Sequence, residues 1–107
     1  MTPNELINRF PEAIIPGATA GVRKTVQYKI THPLYVVIDD GKCTVHEGLA
    51  PKADVSIAMK DDHLLAVLKG ELNGMAALMT GKLKIEGDML LAQRLNTFFD
   101  REKALNG

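Results

Sequence analysis

The spacing of apolar residues changes period several times along the chain, and each change marks an element. Thr2-Pro3-Asn4-Glu5 is a helix start: the Thr2 hydroxyl can cap, Pro3 fits the first helical position and Glu5 can complete a capping box. The short helix should end near Phe10, with Leu6, Ile7 and Phe10 on one face, before Pro11, Pro16 and Gly17 break the chain. From Val22 the period becomes two. Val26, Tyr28 and Ile30 alternate with Thr25, Gln27, Lys29 and Thr31 as a half-buried strand that stops at Pro33. Residues 34–38 form a continuous β-branched and aromatic run, and Asp39-Asp40-Gly41 supplies turn chemistry into a third strand at 42–47. These three strands are expected to form an antiparallel meander.

A loop at 48–52 leads to a fourth strand, in which Val55, Ile57 and Met59 alternate with Asp54, Ser56 and Ala58. Asp61 or Asp62 is placed to cap a helix striped by Leu64, Leu65 and Leu68, with Lys69 at its negative end and Gly70 as its stop. Asn73 caps a shorter helix over 74–80 that closes at Gly81. A fifth strand follows at 82–86, Leu83 and Ile85 on one face, and Gly87-Asp88 turns it into a last helix. Leu91, Leu95, Phe98 and Phe99 form the stripe of that helix, and Gln93, Arg94, Asn96, Asp100 and Arg101 its remaining surface. Because a helical excursion separates strands four and five, those two are expected to run parallel. The fold class is α+β: a five-stranded, mostly antiparallel sheet covered on one face by helices.

Composition narrows the function classes. The 107 residues fit one domain spanning 1–107, and a chain this short has little interior to spare. Residues are 46% hydrophobic but only 5% aromatic, with no tryptophan, so the interior is built from aliphatic side chains and methionine. Thirteen basic residues balance thirteen acidic ones, which removes the positive field that drives nucleic-acid binding; no nucleic-acid partner is expected. The apolar runs at 34–38, 64–68 and 75–79 fall far below the roughly 20 residues of a transmembrane helix. The first residues lack a secretory signal, and the lone Cys43 fits a reducing compartment, so a cytoplasmic location is expected.

Candidate chemistry is sparse. His32, His46 and His63 have no ligand partners at metal-binding spacing, and Cys43 reads as a packed, inert thiol in a strand. Gly81-Lys82 fails as a phosphate loop, since Ala76 stands at the upstream glycine and Leu83 at the following Ser or Thr. Asp39-Asp40 and Asp61-Asp62 have structural reasons to be acidic at a turn and a helix start. No nucleophile pairs with a base, so no catalytic residue, metal or cofactor is expected. What remains is an apolar inventory in the second half, most of it suited to ordinary core. Met59, Met75, Met79 and Met89 cluster there, and methionine adapts to irregular apolar partners. The glycine-bracketed helix at 74–80 is a poor independent folder and can act as a portal.

Three stretches carry a family resemblance: Ala53-Asp54-Val55-Ser56-Ile57-Ala58-Met59; then Leu64-Leu65-Ala66-Val67-Leu68-Lys69-Gly70-Glu71-Leu72-Asn73; then Met79-Thr80-Gly81-Lys82-Leu83-Lys84-Ile85-Glu86-Gly87-Asp88-Met89. In order and spacing they resemble the sterol carrier protein 2 lipid-binding domain. Arg9-Phe10-Pro11-Glu12-Ala13, Ala20-Gly21-Val22 and Tyr35-Val36-Val37-Ile38-Asp39-Asp40-Gly41 extend the likeness over nearly the whole chain. The chain departs from the family pattern at Leu34, Gly74 and Ala77 or Leu78, positions that shape a cavity. Its final Ala104-Leu105-Asn106-Gly107 is not a Ser-Lys-Leu type peroxisomal address.

The resemblance implies a hydrophobic tunnel between sheet and helices that binds a fatty acid, acyl-CoA, phospholipid or sterol-like lipid without reacting it. Leu68, Leu72, Met75, Leu78 and Met79 are expected to line one wall, Leu83 and Ile85 the floor, and Leu95, Phe98 and Phe99 the lid. Lys82 and Lys84 are the nearest candidates to attract an anionic headgroup. Transient contact with a membrane surface and a homodimer both stay open. The alternative function is a protein-interaction module in a lipid or quinone biosynthetic assembly.

Overall fold

A computed structural model describes residues 1–106; Gly107, the end of the expected domain and of the terminal tetrapeptide, lies outside the described residues. Helix α1 (Pro3–Ile7) starts with the expected capping box, Thr2 and Glu5 each bonding the other's backbone. A second short helix, α2 (Phe10–Ala13), continues the connector. Strands β1 (Arg23–Lys29), β2 (Leu34–Asp39) and β3 (Lys42–Glu47) form the antiparallel meander, with Val26 opposite Val36 and Val36 opposite Val45. After β4 (Val55–Met59) come α3 (Asp61–Lys69), α4 (Gly74–Met79), β5 (Leu83–Gly87), α5 (Met89–Phe98) and α6 (Arg101–Asn106).

The sheet order is β3-β2-β1-β4-β5. Its parallel pair differs from the one expected: β1 and β4 run parallel, whereas β4 and β5 are antiparallel, Met59 opposite Leu83 and Val55 opposite Gly87. The reason is the number of helices in the connection. A single crossover helix returns the chain to the end where it began, but α3 and α4 together leave it at the end where β4 stops. The crossover instead falls between β3 and β4, through the loop that starts at Gly48.

Register puts Val26, Tyr28, Leu34, Val36, Ile38, Val55, Ile57 and Leu83 on one face, where they are buried against Leu6, Ile7, Phe10, Leu64, Leu91 and Phe98 from the helices. Apolar contact of this kind stabilises at about 25 cal/mol per Å² removed from water. Gln27 points to the opposite face, yet it is buried as well. Its amide nitrogen donates to the Leu34 and Gly48 carbonyls, both at 3.1 Å, and its oxygen accepts from the Ala50 N–H at 2.7 Å. The residues after β3 thus fold back under the sheet and are tied to the middle of β1.

Two helix boundaries have causes that periodicity hides. Asp61 does not cap its own helix; the N-cap of α3 is Lys60, and the Asp61 carboxylate accepts from the Thr31 N–H at 2.9 Å, tying the end of β1 to α3. The final helix is two helices. Phe99 is extended and bridges to Ile14, with Ile15 N–H donating to the Phe98 carbonyl (2.8 Å) and Asp100 N–H to the Ala13 carbonyl (2.7 Å). Asp100 then accepts from the Lys103 N–H, starting α6, and the Arg9 guanidinium donates to the Ala104 and Leu105 carbonyls at its far end. Both ends of α6 are therefore pinned to the N-terminal connector.

Candidate functional site

Between the sheet and helices α3, α4 and α5 lies a cavity of about 350 Å³. Tyr28, Ile57, Leu83 and Ile85 form its sheet side; Leu64, Val67 and Leu68 come from α3, Met75 and Leu78 from α4, and Met89, Ala92 and Leu95 from α5. The periodicity that builds the elements also builds the cavity. Positions 64, 67 and 68 are one turn apart on α3, as 89, 92 and 95 are on α5, so each helix offers one apolar stripe to the space. A smaller space of about 60 Å³ adjoins it toward α1 and α6, lined by Leu6, Phe10, Phe99 and Ala104 and sharing Tyr28, Leu68, Leu95, Asn96 and Arg101.

Seven of the residues expected to surround the ligand, Leu68, Leu72, Met75, Leu78, Leu83, Ile85 and Leu95, border the large cavity, and Phe99 borders the small one. Two do not. Met79 is 84% exposed at the last turn of α4, because the helix turns the buried Ala77 and half-buried Leu78 inward and the next position rotates out to solvent. Phe98 is fully buried, packed at the end of α5 where the chain bridges to Ile14, and fills core rather than roofing a cavity. Lys82 and Lys84 are exposed and border neither space.

The polar residues at the cavity escaped the apolar pattern. Asn73, Gln93, Asn96 and Arg101 all border it, Gln93 and Asn96 one turn apart on α5. Asn73 also caps α4, accepting from the Met75 and Ala76 N–H groups at 2.8 and 3.2 Å. The helical period assigned Gln93, Asn96 and Arg101 to the exposed surface, and all three are exposed; what it does not show is that they also border the cavity, Arg101 from beyond the break at Phe99. Tyr28 stands deep in the wall, and burial raises its phenol far above the ordinary range, so it stays protonated.

The exposed apolar side chains concentrate nearby: Met75, Met79, Met89 and Leu90, on α4 and the first turn of α5. Cys43 sits in β3, opposite Ile38, and burial pushes its thiol up to about 11, so it is a thiol rather than a nucleophilic thiolate at neutral pH. Among the described residues no group of three or more His, Cys, Asp or Glu is placed to hold a metal ion, and no helix is long and apolar enough to cross a membrane.

An open mixed sheet with helices over one face and a side-chain-lined void between them defines an α+β cavity fold. A model of the SCP-2 sterol transfer family matches residues 4–100, and the chain belongs to that family. Sterol carrier protein 2 of Bos taurus is 43% identical over 60 residues, a stretch covering 56% of this chain and 11% of that protein. The chain therefore matches only about a tenth of the length of that curated relative. Among solved structures, palmitated SCP2L2 of Aedes aegypti superposes with a TM-score of 0.72 at 25% identity, covering 89% of this chain and 91% of that one. The stereoselective inverting sec-alkylsulfatase Pisa1 of a Pseudomonas species superposes with a TM-score of 0.78 at 19% identity over 85% of this chain, but only 15% of the sulfatase; that likeness is one of fold.

Proposed function

We propose that this protein binds the acyl chain of a lipid in the cavity between its sheet and helices α3 to α5, and carries the lipid without reacting it. The observation that carries this reading is the unfilled apolar space of about 350 Å³, at the small end of the roughly 300–1,000 Å³ typical of ligand pockets. Support comes from the palmitated Aedes relative, which shares the fold over most of both chains. In this reading residues 1–107 act as one lipid-binding unit in the cytoplasm, and α4, bracketed by Gly74 and Gly81, is the portal. Met79 and Leu90 then have a use outside the cavity, as apolar residues at the rim where a lipid leaves a membrane surface transiently touched by the protein.

Native mass spectrometry of gently purified protein, followed by titration of the delipidated protein with a fluorescent fatty acid, tests the reading. Co-purifying lipid and one saturable site per chain are expected. Protein that emerges lipid-free and shows no saturable site overturns it. A stable protein complex that persists after lipid stripping would instead favour an interaction module in a lipid or quinone biosynthetic assembly.

A further inference from the structure

Arg101 borders both the large cavity and the small one, and among their lining residues it alone carries a formal charge. The chain has four arginines, and the other three are engaged. Arg9 donates to the end of α6, Arg23 pairs with Asp39 at 3.0 Å, and Arg94 lies over the Phe98 ring, 5.3 Å from its centre. Among the described residues Arg101 has no carboxylate within ion-pair distance and no hydrogen-bond acceptor. Its guanidinium instead lies against Gly70. A Cβ there would meet the Arg101 Nη1 and stand 2.9 Å from its Cζ, so the bare backbone of Gly70, already required for the left-handed cap of α3, also clears the seat of the guanidinium.

The setting favours an anion. Arg101 is exposed beside apolar walls, with no carboxylate within ion-pair distance among the described residues, and so is free to pair with an incoming carboxylate or phosphate. A guanidinium is also the side chain that grips such oxygens in bidentate fashion. Asn96 shares both spaces with Arg101, and Gln93, one turn from Asn96, borders the larger one, so neutral donors line the same cavity as the charge. Arg101 is held there by structure unrelated to ligand: α6 is fixed at its start by Asp100 and at its end by Arg9. The lysines that the strand pattern offered for this role, Lys82 and Lys84, border neither space.

We infer that Arg101 is the headgroup-recognition residue of the cavity, and that the ligand is an acyl chain ending in an anionic oxygen group rather than a neutral lipid. This rests on the lipid-binding reading above and names its ligand class. The test measures binding of dodecanoate, dodecyl phosphate and 1-dodecanol, three molecules with the same chain, to wild type, Arg101→Gln, Arg101→Lys and Arg94→Gln. Wild type should bind at least one of the two anions roughly tenfold tighter than the alcohol, the size of one charge-assisted hydrogen bond at a partly exposed site. Which anion wins identifies the headgroup. Arg101→Gln should bring that anion down to the alcohol's affinity while leaving the alcohol unchanged, Arg101→Lys should keep part of the preference, and Arg94→Gln should keep all of it. Thermal melting without ligand should not separate Arg101→Gln from wild type. Equal binding of all three molecules by wild type, or a parallel loss for anion and alcohol in Arg101→Gln, overturns this inference and leaves lipid binding standing. Failure of all three to bind wild type overturns both.

Discussion

Replacing Gln27 with leucine separates what holds this fold together from what its cavity does. The Gln27 amide has two hydrogens, which the Leu34 and Gly48 carbonyls take at 3.1 Å each, and its oxygen takes the Ala50 N–H at 2.7 Å; the contact with the Tyr28 carbonyl at 3.3 Å is a weaker, shared one. Leucine has a similar size and leaves little void, so the loss is polar. Three hydrogen bonds, one buried and two part-buried, at about 1 kcal/mol each, with the Leu34 carbonyl left unpaired under the sheet, give a cost of about 3–4 kcal/mol. Against a total stability of roughly 5–15 kcal/mol for a domain of this size, that is a large share. At about 4–8 °C per kcal/mol the midpoint should fall by roughly 12–32 °C. Urea unfolding at 25 °C measures the difference directly. Because Gln27 and Tyr28 are adjacent in β1 and project to opposite faces, lipid affinity of the folded protein should not change. A loss below about 1 kcal/mol would refute the argument, since that is the range of an ordinary surface substitution.

Leu68 borders both cavities, so Leu68→Trp should block fluorescent fatty-acid binding at least about tenfold by filling the junction, with a stability change of about 1–3 kcal/mol from overpacking; unchanged binding would mean the lipid sits elsewhere. Met79→Ser, at an 84% exposed position, should shift stability by less than about 0.5 kcal/mol and leave cavity affinity intact by the same two assays. Gly87 has φ of 101°, and a Cβ there would meet the Asp54 carbonyl and lie 3.1 Å from the Val55 Cα, so Gly87→Ala should cost more than about 2 kcal/mol in urea unfolding or prevent folding. Alkylation of Cys43 by iodoacetamide should be slow at pH 7–8 and accelerate as pH approaches its raised value of about 11; rapid labelling at neutral pH would contradict the burial argument. The sign follows because burial disfavours the thiolate, so a higher pH is needed to form it.

Strands, caps and stops were largely legible because each is a local property. The capping box at Thr2, the Asn73 cap, the left-handed stop at Gly70 and the Lys42–Glu47 strand all follow from side-chain chemistry within a few residues. What was not legible depends on contacts far apart in the chain. The antiparallel pairing of β4 with β5 depends on how two helices share one connection, and the burial of Gln27 depends on a loop that returns beneath β1 from more than twenty positions away. The same division runs through the cavity. Its apolar residues announce themselves by period, as Leu68, Leu78, Leu83 and Leu95 did, but Arg101 borders the cavity from beyond the point where Phe99 breaks the last helix against Ile14. Met79, placed on the wall with its apolar neighbours, instead faces solvent, because apolar character on a short helix does not fix which way each position turns.

The cavity has a stability cost that bears on why it exists. A sealed void costs about 24 cal/mol per Å³, so 350 Å³ of closed empty space would cost about 8 kcal/mol, comparable with the whole stability of a small domain. The cavity is only partly enclosed, which lowers the figure by admitting water, and Asn73, Gln93, Asn96 and Arg101 place polar groups on its lining. Leucine at Ala92 would be a simpler way to fill the space, yet a small residue stands there while three methionines, Met59, Met75 and Met89, border the same cavity. Unbranched, mobile side chains at the wall let the space open and close around a chain-like occupant at little cost in strain. On the proposed reading, the void and its adaptable lining form a space whose stabilising contacts a lipid would complete, with the anionic end of that lipid at Arg101.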